Sequence, residues 1–169
     1  QGGNNNTWCQ DSPLGWMVWN EDHCDLELKL FLTRLLKLRQ ALPQLFNPLI
    51  PARETTKKHP QDQTDLWRQW HGVELSKPDW AAWSRSIATS LHMGSHGALI
   101  WMGFNAHKEA LNFELPVPAS PWTRVIDTSL PSPKDLPEQP VPFRGVTIPI
   151  QSRSFVLLVA QDEVSNLRL

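Results

Sequence analysis

The sequence predicts a mainly β chain, a C-terminal antiparallel β-sandwich preceded by a loop and one helix. Three observations predict it. Between residues 87 and 160, short apolar runs of strand length alternate with turn signals. One stretch, residues 25–41, carries strong helical periodicity. The chain holds 15 prolines among 169 residues, which favours short segments with sharp connections.

In the helical stretch Leu28, Phe31, Leu35, Leu38 and Leu42 recur at three- and four-residue spacing. Asp25 suits the N-cap, Glu27 the first turn, and Lys37 and Arg39 the last turn, where they complement the helix dipole; Pro43 ends the pattern. Leu26, Leu30, Leu32 and Leu36 widen the apolar surface beyond one stripe, so this helix needs neighbours on more than one side. The chain offers no second helix of comparable strength to supply them.

Residues 47–64 hold prolines, a small basic cluster and almost no apolar periodicity, and read as a connector. Lys57, Lys58 and His59 within it suit a solvated linker better than a binding patch. Further on, Ile87, Thr89, Leu91 and Met93 alternate with Ala88, Ser90 and His92, and residues 94–97 make a turn into the apolar run Ala98 to Phe104, a central strand. A turn at 105–108 leads to the alternating Leu111, Phe113 and Leu115, which continue the meander. Residues 122–128, 146–150 and 154–160 read as further strands, with a proline-rich stretch at 130–142 between the first two. Pro149 makes the second of these an edge strand or the site of a bulge. The division is therefore an incomplete first piece, residues 1–46, a linker at 47–64 and a sandwich domain at 65–169.

Sixteen Lys and Arg against seventeen Asp and Glu give a net charge of −1, which excludes a strongly basic nucleic-acid binder. No apolar run reaches membrane-spanning length, and QGGNNNTWCQDSP lacks the basic and apolar regions of a secretory signal. Two cysteines, Cys9 and Cys24, are too few for a disulfide scaffold and are expected as free thiols. Together with His23, Asp11 and Asp25 they match no standard zinc spacing, so no metal site is expected. Nine tryptophans and no tyrosine point to large aromatic contacts.

QGGNNNTWCQD followed by Trp16 and Trp19 and then the leucine-rich helix resembles the end of the catalytic barrel in isoamylase-type glycogen debranching enzymes of glycoside hydrolase family 13. WHGVELSKPDW at 70–80, LIWMGFNAHKEALNFELP, WTRVIDT at 122–128 and SRSFVLLVA continue the resemblance in the same order. It implies a parent enzyme that hydrolyses α-1,6 branch linkages of glycogen, limit dextrin or related α-glucans, with a (β/α)8 barrel ahead of a β-sandwich. Residues 1–46 would be the last barrel loop and helix. The family's catalytic carboxylates would lie on earlier barrel strands, so this chain is expected to hold none of them and to be inactive by itself. No cofactor is implied, since hydrolysis needs only water.

Barrel loops border the substrate cleft in such a fold, so Asn4, Asn5, Asn6, Gln10, Asp11 and Trp16 are the candidate glucan-binding residues. The alternative is that the Asn and Asp side chains fold the loop by bonding its backbone, and that Trp8, Trp16 and Trp19 pack loop against barrel. In the sandwich, Trp101 is expected in the core. Trp67, Trp70, Trp80, Trp83 and Trp122 are open to core packing, contact with the barrel, or glucan binding by a stand-alone module. The exposed helix offers a further alternative, self-association of this fragment. The expected setting is a bacterial cytoplasm, with a plastid as the alternative, and neither nucleic acid nor membrane as partner.

Overall fold

The Asp25 side chain accepts the Leu28 amide at 2.9 Å and so caps helix α1, Leu26–Ala41, as the sequence indicates. This computed structural model describes residues 4, 6, 8, 10–16, 25–43, 66–93, 97–164 and 168–169. The connector at 47–64 and most of the turn at 94–97 lie outside the described residues. After α1 come β1 (Leu66–His71), β2 (Ser86–Met93), β3 (Ala98–Asn105), β4 (Leu111–Glu114), β5 (Trp122–Asp127), β6 (Val141–Pro142), β7 (Thr147–Ile150), β8 (Ser154–Ala160) and the one-turn helix α2 (Gln161–Val164).

Six strands form one antiparallel sheet in the order β1-β2-β3-β8-β5-β6, and β4 and β7 form a second. The expected meander therefore breaks after β3. β4 does not pair with β3 but crosses over it to pair with β7, because Phe113 must cover Trp101: both are fully buried and their rings meet edge to face at 5.9 Å. β7 has β4 as its neighbour, with Pro149 opposite Asn112, so the proline sits in an edge strand as expected. β1 and β6 were not legible. β1, LWRQWH, mixes aromatic and polar residues without clean alternation, and β6 has two residues, one of them proline.

The large sheet is covered on both faces. On one, Trp101, Trp122, Val156 and Leu158 pack against Phe113, Ile148 and Ile150 of the small sheet. On the other, Leu91, Ile100, Leu157 and Val159 join Leu38 and Leu42 of the α1 segment, with Phe31 and Leu35 packed alongside. The helix that the sequence sets apart from the sandwich thus rests on it, through the stripe 31, 35, 38, 42. Arg34 fastens it: its guanidinium donates to the carbonyls of Leu136 at 2.8 Å and Pro133 at 3.3 Å, in the proline-rich connection.

Two residues hold the layers in place. At Gly103 a Cβ would collide with the Trp101 ring and the Ile150 side chain, so only glycine lets them lie over β3. Asn105, 2% exposed, ends β3 and ties two turns together: its Nδ2 donates to the carbonyls of Glu109, Ile150 and Gln151, and its Oδ1 accepts the His107 amide. Gly103→Ala is expected to destabilise the fold by roughly 1–3 kcal/mol through overpacking. Asn105→Ala should cost at least ~2 kcal/mol by orphaning buried carbonyls. Urea titration followed by tryptophan fluorescence reads both.

Candidate functional site

Three places gather chemistry-bearing side chains: the N-terminal loop, a histidine pair between β1 and β2, and an aromatic patch on the sheet. In the loop, Asn4 Nδ2 donates to the Leu14 carbonyl at 3.0 Å and Asn4 Oδ1 accepts the Asn6 amide at 3.1 Å. Asp11 Oδ1 accepts the Trp16 indole N–H at 2.6 Å, and the Gly15 amide closes a turn onto Ser12. Asn4 and Asp11 thus fold the loop, as Asx side chains do. Asn6 and Gln10 are exposed, and Trp16 is 56% exposed with its one donor engaged. Asn5 lies outside the described residues, as do Cys9, Trp19, His23 and Cys24. Trp8 is 81% exposed and in a left-handed conformation, φ 49°.

The histidines were not singled out from the sequence, since their pairing depends on β1. His71 and His92 flank Ser90 on neighbouring strands, all three buried. The Ser76 amide donates to His71 Nδ1 at 2.9 Å, which leaves the ring proton of the neutral form on Nε2. Nε2 then donates to Ser90 Oγ at 2.7 Å, and the Ser90 hydroxyl donates to His92 Nε2 at 2.6 Å. Trp67 stacks on the His92 ring at 4.1 Å. A hydroxyl between two imidazoles has the composition of a nucleophile, yet Ser90 is 1% exposed and no substrate reaches it. The chain fixes the register of β1 on β2.

The patch begins where Trp80 meets Trp70 edge-on at 5.6 Å, with the Arg68 guanidinium 5.8 Å from the Trp70 ring. Asp79 Oδ1 accepts the Ala81 amide and the Ser84 amide bonds back to Ala81, so the turn that carries Trp80 and Trp83 is held internally. Trp80 is 65% and Trp83 81% exposed. A cavity of about 320 Å³ beside Trp80 is floored by Ile87 and Phe104, with Asp79, Ser84 and Arg85 at its sides. Trp101 is core, as expected, and Trp122 is 3% exposed. Carboxylates here serve structure: Glu114 accepts the Leu75 amide, Asp127 pairs with Arg124 at 3.0 Å, and Glu74 pairs with Lys77, whose ammonium is favoured by that contact. Among the described residues no three His, Cys, Asp or Glu side chains converge on a metal site, and no helix is long and apolar enough to cross a membrane.

Burial lowers His71 from 6.5 to about 4. The unfolded chain then binds the extra proton between those values. Stability from the neutral ring is present in full above pH 6.5 and is lost as the pH falls towards 4, by an amount on the order of 3 kcal/mol. Urea titrations at pH 7.5 and pH 5 should show about 2 kcal/mol of that loss, and His71→Gln should flatten it.

The family model for the C-terminal region of isoamylases 1–3 matches residues 69–146. Isoamylase SU1 of Zea mays is 28% identical over 97% of this chain, and isoamylase 1 of Arabidopsis thaliana 33% identical over 85%. The glycogen debranching enzyme of Pectobacterium atrosepticum is 31% identical over 56% of it. These stretches amount to 21%, 17% and 15% of the relatives' own lengths, so the chain spans only about a fifth of them. The family resemblance carried by WHGVELSKPDW and the segments after it is thereby shown, and the chain is of the isoamylase C-terminal type.

Proposed function

We propose that the chain is the C-terminal part of a debranching hydrolase that cleaves α-1,6 branch linkages of glycogen, limit dextrin or related α-glucans, and that its role is to support the catalytic barrel. The observation that carries this reading is the match of most of the chain to a small fraction of much longer proteins named isoamylase, and of 56% of it to one named glycogen debranching enzyme. Catalysis belongs to the parent, whose acid and nucleophile carboxylates lie upstream of Gln1. Asp25, Asp79, Glu114 and Asp127 are engaged in a helix cap, a turn, a backbone contact and an ion pair.

On the same reading, residues 1–46 are the last loop and helix of the barrel, and the loop borders the glucan cleft. Asn5, Asn6 and Gln10 offer amides to sugar hydroxyls, Trp16 offers an indole face that Asp11 orients, and Asn4 holds the loop in shape. The two plant relatives are named chloroplastic and the third is bacterial, which agrees with a bacterial cytoplasm or a plastid as the place of work.

The test is an assay of the full-length protein and of the 169-residue chain on glycogen and limit dextrin. The full-length protein should release linear maltooligosaccharides, seen as new reducing ends, and the 169-residue chain should release none. Reducing ends from the short chain, or none from the long one on any branched α-glucan, would overturn the reading.

A further inference from the structure

We propose that the cavity between Trp80, Phe104 and Arg85 is a glucan-binding site carried by the sandwich, which holds a short stretch of an outer chain of a large α-glucan. The inference rests on the reading that the parent protein acts on α-glucans, and it gives the sandwich a direct contact with the polymer in addition to its supporting role.

The walls have the chemistry that a sugar requires. A glucosyl ring has an apolar C–H face and a rim of hydroxyls, so its site needs a flat aromatic surface with donors and acceptors beside it. Trp80 supplies the surface: it is 65% exposed, borders the cavity, and is held by its edge contact with Trp70. Arg85, with the five donors of a guanidinium, lines the same cavity together with Ser84 and Asp79. Asp79 Oδ1 accepts the Ala81 amide, which leaves Oδ2 to accept from a sugar hydroxyl. The Ser84 hydroxyl donates to the Ser86 carbonyl at 3.3 Å and keeps its lone pairs for a further donor. Ile87 and Phe104 close the floor, and a volume of about 320 Å³ lies at the small end of ligand pockets, well below what a protein partner would need to seat.

The site is assembled in the absence of any ligand. The Ala81 amide bonds to Asp79 and the Ser84 amide to the Ala81 carbonyl, so the turn that carries Trp80 holds its own shape. The Ala106 amide donates to the Arg85 carbonyl at 2.7 Å, which ties the end of that turn to the end of β3, where Phe104 lies opposite Ile87. Trp70, which steadies the indole of Trp80, belongs to β1, and the buried His71–Ser90–His92 chain fixes β1 on β2. Platform and polar groups are therefore in place before binding, and little ordering cost is left to subtract from affinity.

Its place in the fold suits a polymer that also meets the N-terminal loop. That loop leads into the start of α1, where Leu28 and Phe31 line a cleft with Thr128 and Leu130. The Thr128 amide donates to the Phe155 carbonyl, and Phe155 lies opposite Phe104 with ring centroids 4.7 Å apart. The start of α1 and the Trp80 cavity are thus at the same end of the large sheet, whereas Leu38 and Leu42, late in the helix segment, join the cluster of Leu91, Ile100 and Val159 towards the other end. Glycogen presents many outer chains, so while one is held at the loop another reaches the cavity. Two contacts with one polymer raise its effective concentration without altering the chemical step.

The full-length protein tests this with maltoheptaose, a linear α-1,4 chain with no branch to cleave, and with glycogen. Hydroxyl-radical oxidation of Trp80, read by mass spectrometry, should proceed in the protein alone and fall at least about five-fold when saturating maltoheptaose is added, while Val146, 81% exposed beside β7, should be oxidised equally in both. Trp80→Ala should raise KM for glycogen about five-fold with kcat unchanged, Trp80→Phe should recover most of that loss, and Arg85→Gln should raise KM about two-fold or more. On a short branched oligosaccharide, too small to span the loop and the cavity, all three variants should match the unaltered protein. An unchanged KM for glycogen in both Trp80→Ala and Arg85→Gln would overturn the proposal. So would a Trp80 already protected without glucan, which would make the cavity part of a contact between domains, or an equal loss on the short substrate, which would make these residues structural. If the full-length protein debranches glycogen while Trp80 stays open to oxidation in maltoheptaose, this inference falls and the functional reading stands; if maltoheptaose protects Trp80 and no branch is cleaved, the functional reading falls and the site stands.

Discussion

Ile100 and Trp101 are neighbours in β3, point to opposite faces of the sheet, and are both fully buried. A strand in that position requires an apolar layer on each side, and the architecture follows from this requirement. On the Trp101 side the chain supplies β4 and β7, which leave the meander to form a second sheet. On the Ile100 side it supplies α1, drawn from the other end of the sequence and fixed by Arg34 to a connection about a hundred residues away. Gly103 is the local cost of the arrangement, a strand residue without a side chain so that a tryptophan can lie flat over it.

The same requirement links the fold to function. Helix α1 covers one face of the sheet with Leu38 and Leu42 and leaves Leu26, Leu28, Leu32 and Leu36 exposed on its other sides. The buried His71–Ser90–His92 chain serves rigidity and not chemistry. It anchors the edge strand β1, which carries Trp70 and through it Trp80. The tryptophans divide accordingly: Trp101 and Trp122 fill the core, whereas Trp80 and Trp83 stand on a turn whose shape Asp79 and the Ser84 amide fix.

Much of this was legible in the residues. The stripe Phe31, Leu35, Leu38, Leu42 is the face that docks, and Asp25 is the cap; both are local properties, set by helical period and by one side chain reaching its own backbone. β2, β3, β4, β5, β7 and β8 were readable because their apolar residues alternate or run together between turns. β1 was not, because LWRQWH is partly buried along its whole length, so its aromatic and polar residues do not alternate. The His71–Ser90 contact spans two strands, so it vanished with β1. In the N-terminal loop, Asn4 and Asp11 bond backbone and indole within the loop, an outcome that their residue types allow as readily as contact with a sugar.

The sequence by itself determined the class of the domain, the helix with its cap and docking stripe, most strands, and the family resemblance, since each depends on residues close together in the chain. Which strands pair, which face α1 covers, and which tryptophans stay open were decided by the tertiary structure. Those outcomes depend on covering both sides of β3 at once, and no short stretch of sequence records the distance between Trp101 and Phe113 or the path by which Arg34 finds the carbonyl of Leu136.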